Sequence, residues 1–166
     1  MMDSSFWILC HESGVHPHLW VLWQLPVLVP QTVYNQIMVP THYRDQPDFQ
    51  QAYRSGFLVV HDPNIPPNNP FGQGEREVLT LAEEMQAVAL IDDHQPYLFG
   101  IQQGLMAINV PEFIISLMWT GYITVAEAAS AFQKLQSSSR VHTNKKVLTW
   151  AIGQVRRRQQ MQGGPP

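Results

Sequence analysis

The sequence predicts an α/β fold, a three-layer α/β/α arrangement around a short, mostly parallel sheet. Three observations carry that expectation. Short apolar runs alternate with segments of helical spacing. The run "VALI" (88–91) is apolar at every position, as suits a parallel strand buried on both faces. Four prolines and two glycines gather in residues 62–74, which separates strand from helix there.

"PVLVP" (26–30) is a β-branched run between prolines and is read as the first complete strand. In "QTVYNQIM" the pairs Val33, Ile37 and Tyr34, Met38 stand four apart, one face of a helix. "FQQAYRSG" extends a second helical segment toward Gly56, a residue suited to a helix C-terminus. "FLVVH" (57–61) is a second strand, and residues 62–74, with four prolines and two glycines, form a loop. In "EREVLTLAEEMQA" the positions Val78, Leu81, Ala82 and Met85 give an amphipathic helix, which leads into "VALI". "PYLFGIQQG" is a short helix closed by Gly104, and "LMAINV" is a further strand. "PEFIISLMWTG" opens on proline, which is good at the first helical position, and ends at Gly121. Thr124 with Glu127 three residues on is a capping box for the next helix. "NKKVLTWAIGQVRRRQQ" is the last helix. The expected organisation is a domain over residues 1–140, a basic C-terminal helix over 141–160 and a disordered tail over 161–166.

Composition narrows the function classes. The chain has 166 residues, 45% of them hydrophobic, enough for one packed core. The single cysteine, Cys10, excludes an intramolecular disulfide framework and a cysteine zinc cluster, and it fits a reducing, cytoplasmic setting. No run of about 18 uninterrupted apolar residues suggests a transmembrane helix, and the start lacks the basic region of a secretory signal. The formal net charge of -3 hides an asymmetry: residues 1–127 hold thirteen acids and three basic residues, whereas residues 128–166 hold seven basic residues and no acid. The basic run Lys145, Lys146, Arg156, Arg157 and Arg158 is either a solvated helix face or a surface for a polyanion.

Four acids stand out: Glu75 and Glu77 in a first helical turn, Asp92 and Asp93 at the end of "VALI". Acids in a first turn complement the helix dipole, and Asp commonly ends strands. Yet ligands of open α/β sheets bind beyond the carboxyl ends of the strands, where Asp92 and Asp93 fall. Hard carboxylate oxygens from separate segments suit Mg²⁺ or Mn²⁺. Such an ion can activate water and stabilise charge on a phosphodiester. A third acid is then needed at another strand end, and Asp3 is the one near the beginning.

"DSSFWI", "LPVLVPQTVYNQI", "GEREVLTLAEEMQAVALIDD" and "GLMAINVPEFIISLMWTGYI" follow in an order and spacing that resembles the PIN-domain family, nearest its VapC-like branch. The resemblance covers residues 3 to 123. It implies a Mg²⁺- or Mn²⁺-dependent ribonuclease of toxin–antitoxin type, with Asp3, Glu75 and either Asp92 or Asp93 as catalytic metal ligands. It further implies RNA as substrate, an antitoxin protein as partner, and a homodimer. The sequence departs from the family pattern in several places. Two residues precede Asp3 where the family has a full strand, and Gln36 stands where Glu is frequent. "HQPYLFG" replaces an arginine-rich turn after Asp93, and "INVPEF", with Glu112, replaces Ile-Gly-Thr-Leu. A second reading is therefore a catalytically degraded PIN-like module that binds nucleic acid or protein. A phosphoacceptor receiver domain is disfavoured, because no lysine precedes Lys134.

Of the histidines, His16 and His18 are two apart and do not share a helical face, and no cysteine or His-Glu-x-x-His motif accompanies His11, His16 and His18. The sequence therefore argues against zinc. Trp7, Trp20 and Trp23 are read as core or dimer packing, and Cys10 as a small buried hydrophobe.

Overall fold

The structure, a computed structural model, describes residues 1–23, 25–39, 45–137 and 145–162; the side chains of residues 22, 23 and 162 lie outside that description, so Trp23 is placed by its backbone alone. The expected boundary at residues 140 and 141 and the tail at 163–166 lie outside the described residues.

The elements follow the alternation expected. α1 (Ser4–Ser13) and α2 (His18–Trp23) precede β1 (Val27–Val29). Then come α3 (Gln31–Met38), α4 (Gln46–Arg54), β2 (Leu58–Val60), α5 (Gln73–Glu84) and β3 (Ala89–Leu90). α6 (His94–Gln102), β4 (Ala107–Ile108), α7 (Val110–Thr120), α8 (Val125–Ser137) and α9 (Lys145–Gln162) complete the chain. Met161 and Gln162 are thus helical where the sequence suggests a frayed tail.

β1 pairs in parallel with β2, Val27 opposite Leu58 and Val29 opposite Val60. β3 pairs in parallel with β4, Ala89 opposite Ala107. Met1 to Asp3 join the two pairs. Met2 donates its N–H to the Leu28 carbonyl at 3.0 Å, and Met2 forms a parallel bridge with Leu90. Leu90 donates to the Met1 carbonyl at 2.7 Å, and Asp3 donates to the Leu90 carbonyl at 3.0 Å. The spatial order is therefore β2, β1, residues 1–3, β3, β4. Three residues do the work of a central strand: Met2 is fully buried, its N–H bonds to β1, and its neighbours Met1 and Asp3 bond to Leu90 of β3. The chain first winds outward through β1 to β2, then crosses back to β3 and β4. The reversal lies between residues 1–3 and β3, the switch point at which open α/β sheets bind ligands.

Helices cover this sheet. α1 packs on α3, α7 and α8, and α5 packs on α3, α6 and β3. α9 packs on α7 and α8 through buried Leu148, Ala151 and Val155. The expected capping box is present, with Thr124 N–H on Glu127 Oε2 at 2.7 Å and Glu127 N–H on Thr124 Oγ1 at 3.2 Å. On α5, Val78, Leu81 and Ala82 are buried as expected, but Met85 is half exposed, since the helix ends at Glu84 and Gln86 turns the chain at φ 49°. The N-terminal tryptophan segment forms two helices, α1 and α2. Trp7 is fully buried, in edge contact with Phe49 at 5.1 Å and tilted against Trp20 at 6.3 Å.

Phe113 on α7 is fully buried, its ring 5.9 Å from that of Phe6 on α1. Replacing it with alanine removes the aromatic join between these helices. We expect Phe113→Ala to lower stability by about 3–5 kcal/mol in urea denaturation; a loss below about 1 kcal/mol would show that this join does not hold the two helices together.

Candidate functional site

Of the acids singled out from the sequence, Asp3, Glu75, Asp92 and Asp93 lie at element ends, Asp3 and Asp93 as N-caps and Glu75 in a first helical turn. Asp3 follows the three-residue strand and is the N-cap of α1: its Oδ1 accepts from the Phe6 N–H at 2.7 Å and its Oδ2 from the Ser5 hydroxyl at 2.9 Å. Its side chain is buried, 2% exposed. Burial pushes its carboxyl well above the ordinary carboxylate range, and the charges of Asp93 and Asp92 push it further, against the two hydrogen bonds.

Asp92 and Asp93 leave β3. Asp92 is partly buried, and its Oδ1 accepts from the Val110 N–H, the first amide of α7, at 3.0 Å. Burial raises its carboxyl from 3.8 to about 6, opposed by the Val110 bond and aided by the charges of Asp93 and Glu112. Asp93 is the N-cap of α6 but makes no side-chain capping bond. It is raised by desolvation and then by Glu75. Glu75 sits three residues into α5, its carboxylate folded back over the N-cap Gly72, where any Cβ would collide with Oε2. Charge repulsion links these acids in series, Asp3 with Asp93 and Asp92, Asp92 with Asp93, and Asp93 with Glu75, although no three of them set ligand atoms within 4.8 Å of one another. Glu77 is not part of this set; its Oε1 accepts from Gln73 at 2.9 Å. Among the described residues no lysine or arginine is paired with any of the four.

Two neutral residues complete the rim. The Ser4 hydroxyl donates to Gln36 Oε1 at 2.9 Å, and a Cβ at Gly74 would stand 3.0 Å from that same oxygen. Gln36 thus bridges the starts of α1 and α5, beside Asp3 and Glu75. Glu112 is close to Asp92 but committed elsewhere: Oε1 accepts from the Tyr97 hydroxyl at 2.7 Å and Oε2 from the Asn109 N–H at 3.1 Å, within the capping box of α7. The Tyr97 hydroxyl is raised above its ordinary value by burial and by this bond. Cys10 is buried, its thiol raised by burial and then by the charges of Asp92 and Asp3, in keeping with a packing role.

A protein-family model described as a PIN domain matches residues 16–157. The chain belongs to the PIN-domain family. The match takes in Gln36, Glu75, Asp92 and Asp93 and leaves Asp3 outside it. No curated protein and no solved structure matches the chain. PIN domains have a nuclease-like fold and typically bind divalent metals, and the pocket's carboxylates, uncompensated by any described cation, are chemically suited to such an ion. No helix among the described residues is long and apolar enough to cross a membrane.

Sequence reasoning also missed a second group in this PIN domain. His11, His16 and Asp48 place one ligand atom each within 4.8 Å of one another. The imidazole of His16 is held below its ordinary value by burial and by His11. Spacing along the chain sets His16 against His18 instead. The informative signal was the Gly14 between His11 and His16, which ends α1 in the left-handed conformation and turns the chain back on itself.

The raised carboxyl of Asp92 has a definite sign. A folded-state value of about 6 against 3.8 means that the protonated form is favoured by folding. Stability from this group is fully present below about 3.8 and is lost as pH rises through about 6. The difference corresponds to about 3 kcal/mol. Asp92→Asn, which keeps the acceptor for Val110 and cannot ionise, should therefore gain on the parent between pH 4 and pH 7 in thermal unfolding without metal. A pH-independent difference would place Asp92 in an ordinary solvated setting.

Proposed function

We propose that this PIN domain is a divalent-metal-dependent ribonuclease, with Asp3, Glu75, Asp92 and Asp93 holding Mg²⁺ or Mn²⁺. The observation that supports it is the mutual repulsion of carboxylates from three segments near the switch point, with no lysine or arginine among the described residues paired with them. Carboxylates so placed raise one another's affinity for protons, and a divalent ion answers the same electrostatic demand. When bound, such an ion supplies charge stabilisation to the phosphodiester and a more acidic water.

The chain's own residues then divide the task. Asp3 is fixed by the Phe6 amide and the Ser5 hydroxyl, so its oxygens are held in place before any ligand arrives. Asp92 is oriented by Val110 through one oxygen and keeps the other free. Asp93 makes no side-chain capping bond and faces solvent, which suits it to the open side of the pocket. Glu75 reaches the pocket from the start of α5, where its charge also agrees with the helix dipole. The likeness of the sequence motifs to the VapC-like branch extends the reading to RNA as polymer, an antitoxin as protein partner and a homodimer as assembly.

The test is cleavage of single-stranded RNA with Mg²⁺ or Mn²⁺. Glu75→Gln and the double variant Asp92→Asn/Asp93→Asn should each lose about a hundredfold or more in rate, because even small displacements of reacting groups cost that much. Unchanged rates would end the proposal.

Gln36 supports the second reading, a degraded binding module, because a neutral side chain occupies the rim where the family resemblance expects an acid. Gln36→Glu separates the two. In a working site it should tighten Mn²⁺ binding by about tenfold in titration calorimetry. In a degraded one neither the parent nor the variant takes up the ion while circular dichroism shows both folded.

A further inference from the structure

We propose that His11, His16 and Asp48 form a second metal site, for a transition ion of the zinc class, separate from the carboxylate pocket. His11 lies in the last turn of α1, His16 just beyond its end and Asp48 in the first turn of α4. Asp3, at the opposite end of α1, is about 12 Å away along the helix axis.

The local fold assembles the three side chains. Gly14 takes φ 82°, and its N–H and that of Val15 close on the His11 and Cys10 carbonyls. His16 donates its own N–H to the Cys10 carbonyl at 3.1 Å. This turn lays the His16 ring on that of His11, with centroids 4.8 Å apart and planes 29° apart. Trp7 contacts both rings, at 6.4 Å and 5.8 Å, and Phe49, next to Asp48, packs on Trp7. The donors are thus held by the aromatic core.

The distances suit an ion. Asp48 Oδ2 is 2.9 Å from His11 Nε2 and 3.7 Å from His16 Nε2. Donors about 2.0–2.1 Å from a tetrahedral zinc stand about 3.3 Å apart, between those two values. His16 supplies the independent sign: its Nδ1 is buried without a hydrogen-bond partner, and its Nε2 is too far from Asp48 for a hydrogen bond. An ion held beside Asp48 would take the lone pair of Nε2, and Nδ1 would then carry the proton of the bound tautomer. Two imidazoles and one carboxylate favour zinc-class ions over Mg²⁺. Asp48, with a side chain 47% exposed, leaves the fourth position open to water.

The experiment is Zn²⁺ titration by calorimetry on the full chain at pH 7.5, with Co²⁺ absorption in the visible as the coordination readout. The parent and Asp92→Asn/Asp93→Asn should both take up Zn²⁺ at this site. His16→Gln and Asp48→Asn should bind more than tenfold more weakly and lose the tetrahedral Co²⁺ band. Asp48 is half exposed, so its variant folds even if a buried histidine variant does not. Zn²⁺ affinity unchanged by Asp48→Asn, or Zn²⁺ binding abolished by the pocket variant alone, overturns the assignment. So does a folded parent that takes up no Zn²⁺. The outcome does not depend on ribonuclease activity.

Discussion

The pairing of residues 1–3 between β1 and β3 is the constraint on which the rest of the molecule depends. Met2 donates to Leu28 on one side and bridges Leu90 on the other, joining two strand pairs into one sheet. Without it, β1 with β2 and β3 with β4 are two-residue or three-residue pairs, too short to be stable alone. The same pairing fixes Asp3, whose N–H is held by Leu90 and whose carboxylate starts α1. Secondary structure and site geometry thus come from one set of backbone bonds.

The electrostatics of the pocket run against stability. Asp3 and Asp92 are raised chiefly by burial, and each repels its neighbours. Backbone amides from the helix ends offset part of that cost, since Phe6 and Val110 donate to them. Each acid therefore has a structural partner as well as an unmet electrostatic demand. That pairing of a cap with a strained charge is why helix-terminal acids are hard to classify by position alone: Glu112 is spent entirely on Tyr97 and Asn109, whereas Asp93 is committed to neither.

Much of the fold was legible because its signals are local. The apolar runs of β1 to β4, the proline at the start of α7, Gly121 at its end and the Thr124 box all act within a few residues. Asp92 and Asp93 were legible as a strand end. The paths of α1 and α2 were not, because an apolar stretch rich in Trp and Leu lacks the periodicity that separates helix from strand. Gln36 was legible only through the family resemblance, and Asp48 beside His11 could not be read in advance. Both depend on helices that meet only after the chain has crossed the sheet, and spacing along the sequence carries no record of such meetings. Pairwise spacing likewise paired His16 with His18, whereas a reversal at Gly14 stacks it on His11.

The Asp92–Val110 hydrogen bond joins the pocket to more than one helix. α7 packs against α8 and α9, and Arg158 of α9 lies over the Trp119 ring of α7 at 4.7 Å. The first amide of α7 thus holds Asp92, while Trp119 near the helix's other end lies under Arg158 of the basic helix. The side chain of Asp92 and the seat of the carboxy-terminal helix are thus held by one element, α7.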